Sequence, residues 1–238
     1  MGALTPLLER LVDDAGLFPP SSLPMDQALS RFRTSDSPVL SGRFLCPAGR
    51  LDELRELLTP DEKVELHVVS DDVGELPDDP RLVVCAVEVR RDGPAACPCY
   101  VETAPSVELK EAGRYAKLRC GGTSVPEVPH VAHFVRECVR LSLPFKATAG
   151  LHAAVRGWEQ DDRGRPHHGF LNLVLATCAA VAGDDVESVL ECTDSTAVAD
   201  AVRRTPDELA RAARGLLHSY GSCDTVRPVT DLQRMGLL

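Results

Sequence analysis

The sequence predicts an α/β fold, a (β/α)8 barrel of the TIM type with an N-terminal helical extension, and three observations carry this prediction. Strand-like and helix-like segments alternate from residue 43 onward, which is typical of parallel strands joined by helical crossovers. Six of these strands precede residue 150, which fits a closed barrel better than a small open sheet. No linker interrupts the 238 residues, so we expect one domain over 1–238, with residues 1–38 as the extension.

Hydrophobic periodicity places each element along the chain. Apolar residues at helical spacing predict amphipathic helices over 3–13 and 25–33, with a turn-rich link over 13–20 between them. Strands are then predicted over 43–46, 64–69, 81–90, 99–104, 115–120 and 144–149. Further helices are predicted over 51–58, 106–112, 130–142 and 169–182.

The last third of the chain carries a weaker pattern. Residues 186–191 fit either a seventh strand or a helix, and a helix is predicted over 205–217. An eighth strand over 219–223 and a closing helix over 229–235 complete the predicted barrel. The loop over 156–168 is rich in Gly, Asp and Arg and separates a strand from a helix.

Composition excludes several classes of function. The net charge is −10 and no basic stretch is present, which argues against nucleic acid as a partner. No stretch reaches about 18 apolar residues, and the N-terminus lacks the pattern of a signal peptide, so we expect a cytoplasmic protein that does not enter membranes. The nine cysteines are predicted to be reduced thiols, and Cys97-Pro98-Cys99 lacks the spacing of a zinc site. We expect a small anionic substrate and no cofactor; homo-oligomerisation stays open.

The alternation within each strand predicts which side chains face the barrel interior. In a parallel barrel alternate residues point inward, and the outward set, which packs on the helices, is apolar. The inward set predicted by this alternation is His67, Glu88, Tyr100, Glu102, Lys117, Arg119, Lys146 and Thr148. Because the charged residues of this set lie near the C-terminal ends of their strands, they fall where barrel enzymes place their active sites.

Lysine is rare in this chain and concentrates at these positions. Only four lysines stand against 22 arginines, and two of the four, Lys117 and Lys146, face inward. A lysine can lose its proton and act as a nucleophile, whereas a guanidinium cannot. We expect a neighbouring cation and partial desolvation to lower the pKa of Lys146, which makes it the predicted nucleophile. Lys117 is its predicted neighbour and proton shuttle, and the predicted acids or bases are Glu102, Glu88 and Tyr100.

A group of residues at the ends of the same strands has the chemistry of an anion site. A guanidinium, hydroxyl groups and closely approached backbone N–H groups can hold a carboxylate or a phosphate. The predicted substrate-binding residues are Arg119, Gly121, Gly122, Thr148 and His152, with the loop 121–124 as a plain turn in the alternative interpretation.

The segment Phe145-Lys146-Ala147-Thr148-Ala149-Gly150 resembles the lysine-bearing strand of class I aldolases of the deoxyribose-phosphate aldolase type. That strand has an apolar residue, Lys, a small residue, Ser or Thr, a small residue and Gly. The resemblance implies a lyase or aldolase acting on a small anionic carbonyl compound through a Schiff base at Lys146. In that family the second lysine lies on the following strand, whereas Lys117 lies on the preceding one, and Glu102 is the nearest substitute for the family's aspartate.

Three alternatives remain at this point. Histidines and carboxylates could form a metal site of a lyase, isomerase or hydrolase, with His67, His152 or His168 as ligands. The barrel could instead bind an anion or a protein without catalysis, in which case both inward lysines would be fully paired, with no cavity beside them. The inward charges could also be plain salt bridges, Glu88 with Arg119 and Glu102 with Lys117.

Overall fold

Eight parallel strands close into a barrel in chain order, with the last strand paired to the first. The structure is a computed structural model and describes residues 5–71, 76, 78–91, 97–122 and 125–238. Helices follow six of the eight strands, and the chain is a barrel of the (β/α)8 type, as the alternation of strands and helices predicts. The described residues directly after the third and the fourth strands contain no helix.

The strands and helices have the following bounds. The strands are β1 Val12–Asp14, β2 Leu40–Pro47, β3 Val64–Ser70, β4 Leu82–Val89, β5 Cys99–Val101, β6 Tyr115–Arg119, β7 Phe145–Thr148 and β8 Leu217–Ser222. The helices are α1 Met25–Thr34, α2 Leu51–Leu57, α3 Val107–Glu111, α4 Val128–Leu141, α5 Phe170–Ala182, α6 Val186–Glu191, α7 Ser195–Arg204, α8 Asp207–Leu216 and α9 Val226–Arg234.

The predicted helical extension over 1–38 is wrong, because this segment contains the first strand and the first crossover helix of the barrel. The described part of the predicted helix over 3–13 forms turns over 6–10 and then β1. Leu7, Leu8 and Leu11 are fully buried in the hydrophobic core, which explains their helix-like spacing without a helix. A strand of three residues is too short to display the alternation that identifies the others.

The last third resolves the choice left open by the sequence. Residues 186–191 form the helix α6, and the predicted eighth strand corresponds to β8. With β1 included, the predicted strands therefore become β2 to β8. All nine cysteines lie in the described part of the chain and remain thiols. None of the described helices is long and apolar enough to cross a membrane.

Apolar packing around α5 holds the C-terminal half of the barrel together. This helix is apolar on all sides because α4, α6, α7 and α8 contact it. Its first residue, Phe170, stacks on Tyr220 of β8 with ring centroids 5.3 Å apart. On the neighbouring side, Phe134 of α4 meets the ring of Phe145 on β7 edge to face at 5.6 Å. These contacts hold β7, which carries Lys146, and β8 in place.

Glycines let the C-terminal ends of β6 and β7 touch. A Cβ atom at Gly121 would lie 2.7 Å from the Cα atom of Gly150, and one at Gly150 would lie 2.7 Å from the carbonyl oxygen of Cys120. Gly150 also has a φ of +68°, which side chains rarely adopt. The structural role of Gly121 is therefore close strand packing at the mouth of the barrel.

We expect Gly121→Ala to lower the free energy of unfolding by about 1–3 kcal/mol, because the added methyl group forces apart two backbone segments that cannot give way. Gly215→Ala is the matched control, since a Cβ atom there meets nothing within 4 Å. In a helix this change should leave stability unchanged or raise it by up to about 1 kcal/mol. Urea unfolding followed by circular dichroism measures both; equal effects of the two changes would contradict the close approach.

Candidate functional site

The barrel interior contains a buried ionic network centred on Lys146. The side chain of Lys146 has no exposed surface. Its Nζ donates hydrogen bonds to Asp13 Oδ2, at 2.7 Å, and to Glu88 Oε1, and it lies 3.1 Å from His67 Nδ1. Because β1, β3, β4 and β7 all point these residues inward, the network ties together strands that are distant along the chain.

Asp13 is held as an anion by partners on three strands. Besides Lys146, it accepts hydrogen bonds from Arg43 Nε at 2.9 Å and from the Ser219 hydroxyl at 2.6 Å. Burial alone would raise the pKa of Asp13, but the positive charges of Lys146 and Arg43 bring it far below its usual value. The carboxylate is thus ionised and fully partnered inside the barrel.

The expectation that Lys146 has a lowered pKa is wrong. Burial does lower it, but the negative charges of Asp13 and Glu88 outweigh burial, so the pKa of Lys146 is raised. The reciprocal effect holds Glu88, which burial alone would favour as a neutral acid: Lys146 and Lys117 keep its pKa well below the usual range. Lys146 is therefore a protonated, inaccessible ammonium group rather than an exposed amine.

An open cavity lies above this network, at the C-terminal mouth of the barrel. Its volume is about 880 Å³. Charged residues form part of its wall, and the β1–α1 loop and the end of β8 contribute its apolar rim. The lining that matters to the chemistry consists of Phe18, Pro19, Glu88, Glu102, Lys117, Arg119, Thr148, His152 and Cys223. The location agrees with the general position of sites in barrels of this type.

Lys117 is the lysine that borders the cavity. Its side chain is 5% exposed, and its Nζ lies 3.4 Å from Glu88 Oε2 and 3.5 Å from Glu102 Oε2. On the other side, Glu102 accepts two hydrogen bonds from Arg119, at 2.8 Å and 3.0 Å. Of the two salt bridges that the sequence suggests, the structure contains Glu102 with Lys117, whereas Arg119 pairs with Glu102 instead of Glu88. Because a cavity lies beside Lys117, the interior is not a fully packed set of salt bridges with no space next to the lysines.

The other predicted site residues divide between the cavity and the barrel interior. Gly122, Thr148 and His152 line the cavity. Tyr100 lies deeper, where its hydroxyl shares a hydrogen bond of 2.7 Å with His218 Nδ1, and burial raises its pKa. A role for Tyr100 as an acid or base at the cavity is therefore not supported by its position. Gly121 packs against Gly150, and residues 123–124 of the predicted anion loop lie outside the described residues.

Sequence reasoning missed several residues of the site. Asp13, Arg43, Ser219 and Cys223 join the network or the cavity although no strand pattern singles them out. Asp13 was hidden in the segment that resembles a helix, and Cys223 comes directly after the end of β8. The adjacent acidic pair Asp13-Asp14, between the apolar Val12 and Ala15, was the available signal, since buried acids in such a setting need partners.

The histidines proposed as metal ligands do not assemble. His67 belongs to the buried network, His152 contacts Cys223, and His168 hydrogen-bonds to the Pro126 carbonyl oxygen through Nε2 at 2.8 Å. Within the described ranges no group of three His, Cys, Asp or Glu side chains could hold a metal ion. The residues present therefore do not fit the predicted metal site.

Comparison with known proteins adds no assignment. No protein-family model, no curated protein and no solved structure matches this chain. The interpretation of the site therefore depends on its geometry and charge.

We expect Lys146→Met to lower the free energy of unfolding at pH 7 by about 3–5 kcal/mol, because it removes the cation that Asp13 and Glu88 share and leaves each buried carboxylate with one cationic neighbour, Arg43 or Lys117. In the wild type these carboxylates have lowered pKa values, so their contribution is present above about pH 4 and is lost as the pH falls further. In the variant the loss of the Lys146 charge raises the pKa of both carboxyl groups, so they take up protons at a higher pH than in the wild type. The stability difference should therefore shrink as the pH falls from 7 towards 4.

Denaturant unfolding of both proteins across this pH range measures the effect. Lys63→Met is the matched control, because Lys63 is exposed and lies outside the barrel interior. A loss at Lys146 no larger than at Lys63, or a loss that grows towards acid pH, would contradict the ion network.

Proposed function

We propose that this protein is a lyase of the aldolase type that forms a Schiff base with a small anionic carbonyl compound, and that Lys117 is the nucleophile. One observation carries the proposal: Lys117 stands between two carboxylates on one side and an open cavity on the other. Lys146, the nucleophile expected from the sequence, is sealed in the interior as a protonated cation. The reactive role therefore passes to its neighbour on the adjacent strand, with which it is in register.

The carboxylates beside Lys117 supply the proton transfers that the reaction needs. An amine must lose a proton before it attacks a carbonyl carbon, and the resulting carbinolamine must lose water to become an iminium ion. Burial alone would raise the pKa of Glu102, but the hydrogen bond from Arg119 together with the positive charges of Lys117 and Arg119 lowers it, so Glu102 is ionised. An ionised carboxylate 3.5 Å from Nζ can accept the amine proton and return it to the departing water.

The buried ionic network also changes the charge that surrounds Lys117. Glu88 contacts both lysines, since its Oε1 accepts from Lys146 and its Oε2 lies 3.4 Å from Lys117. Lys146 thus neutralises part of the negative charge that Glu88 presents to Lys117. We assign to Lys146 the role of a positioning residue that acts through Glu88 rather than on the substrate.

The wall of the cavity favours an anionic substrate. Arg119 presents a guanidinium group whose side chain is 41% exposed, and Thr148 adds a hydroxyl group. A guanidinium group has five N–H donors, and Arg119 uses two of them on Glu102, so others remain for the carboxylate or phosphate of a substrate. A carbonyl compound with a carboxylate or phosphate group could place its anion on Arg119 and its carbonyl carbon near Lys117.

The resemblance to the deoxyribose-phosphate aldolase type supports this assignment in one respect and departs from it in another. With Lys117 as the Schiff-base residue, the second lysine, Lys146, lies on the following strand, which is the order in that family. The sequence around Lys117 departs from the family's motif, because Leu118 and Arg119 stand where it has a small residue and Ser or Thr.

Borohydride trapping tests the proposal. We expect sodium borohydride to fix a probe carbonyl compound, either pyruvate, glyoxylate or glyceraldehyde 3-phosphate, onto Lys117, because reduction of the iminium ion makes the bond permanent. Peptide mass mapping locates the adduct. Lys117→Arg should abolish it, since a guanidinium cannot form the Schiff base.

Lys63→Arg serves as the matched control and should leave the adduct in place, because Lys63 is exposed and lies before the first residue of β3. An adduct at Lys146, or trapping that survives Lys117→Arg, would contradict the assignment. The absence of an adduct with all three probes would count against Schiff-base chemistry and in favour of an anion-binding barrel.

A further inference from the structure

A cysteine and a histidine meet at the rim of the cavity. Sγ of Cys223, directly after β8, lies 3.5 Å from Nδ1 of His152, in the loop after β7. Both residues line the cavity. Arg31 donates a hydrogen bond of 2.8 Å to the Cys223 carbonyl oxygen, which fixes the backbone at this position. The pair is thus held in place and faces the same space as Lys117.

The surroundings of the pair favour its charged form. Burial alone would raise the pKa of the Cys223 thiol, but hydrogen bonds from His152 and from the side chain and backbone N–H of Ser21 bring it below its ordinary value. The pKa of His152 is raised, chiefly by its hydrogen bond to Cys223. Among the other charges near the imidazole, Glu159 raises this pKa and Arg227 lowers it, and these two residues form an ion pair at 3.0 Å.

Other buried cysteines of the chain have the opposite character. Burial raises the pKa of Cys46 and Cys120 to about 12 and that of Cys178 to about 11. These residues are packing side chains in the core. Cys223 is also buried, but it lines the cavity and has a histidine partner, so its setting is that of a reactive thiol.

We propose that Cys223 and His152 form a second reactive site in the cavity, a thiolate and imidazolium pair that adds to small electrophilic carbonyl compounds. With an aldehyde, the thiolate forms a carbon–sulfur bond and the carbonyl π electrons move to oxygen. That oxygen takes the proton of the imidazolium, which leaves a neutral histidine and a hemithioacetal. The step needs no oxidant or reductant and does not depend on Lys117.

The experiment is alkylation with iodoacetamide followed by mass mapping of each cysteine. At pH 7 we expect Cys223 to react about tenfold or more faster than Cys192, although Cys192 is more exposed, because the thiolate is the attacking form. As the pH is lowered, the rate of alkylation at Cys223 should fall with a midpoint below about 8.5, the ordinary pKa of a free thiol. His152→Asn should slow Cys223 about tenfold at pH 7 and move the midpoint up, since the positive partner is lost.

His167→Asn is the matched control. Its ring centroid lies 6.4 Å from that of His152, and it should leave the rate at Cys223 unchanged. Alkylation of Cys223 no faster than that of Cys192, or a midpoint at or above the ordinary value, would overturn the proposal even if His152→Asn fails to fold. An unchanged rate in a folded His152→Asn protein would overturn it as well.

Carbonyl addition itself is tested in the Lys117→Arg background, where no Schiff base can protect the site. Glyoxylate should slow the alkylation of Cys223 reversibly, whereas glycolate should not, because it has a hydroxyl group in place of the aldehyde. Equal protection by both compounds, or by neither, would overturn the carbonyl part of the proposal. Failure here is distinct from failure of borohydride trapping, which concerns Lys117 alone.

Discussion

The ammonium group of Lys146, held between the carboxylates of Asp13 and Glu88, is the interaction on which the interior of this barrel depends. An unpaired charge in such a place is costly, and the structure offsets that cost by giving every member a partner. Asp13 binds Lys146, Arg43 and Ser219, so β1, β2, β7 and β8 meet at one carboxylate. Glu88 continues the network from β4 towards the cavity.

The same network divides the two inward lysines into different roles. Lys146 is enclosed, protonated and fully partnered, whereas Lys117 lies one strand away at the edge of open space. Glu88 connects them, because each of its oxygens faces one lysine. The carboxylate of Glu88 therefore has a buried cation on one side and Lys117 on the other. In the proposed aldolase-type chemistry, Lys146 is the structural cation in the barrel interior and Lys117 is the nucleophile at the cavity.

Much of this architecture could be predicted from the sequence. Alternation in the valine-rich strands identified the barrel and its phase, and hence the inward positions of Glu88, Lys117 and Lys146. Alternation does not reveal a strand that is too short to alternate. Val12–Asp14 was hidden among leucines at helical spacing, so Asp13 was missed, and without Asp13 the pKa of Lys146 was expected to move in the wrong direction. Cys223 was missed for a related reason, because a residue just after a strand is brought to a site by chain closure and not by any local pattern.

Protonation of Lys146 in the folded protein tests this account most directly. The chain has only four lysines, so selective ¹³C labelling at lysine Cε gives four NMR signals, each assignable with a single Lys→Arg variant. We predict that the Lys146 signal keeps the shift of the charged form to a pH above about 10.4, the ordinary pKa of a lysine side chain. Titration of Lys146 below that ordinary value, as for a buried amine without anionic partners, would contradict the account.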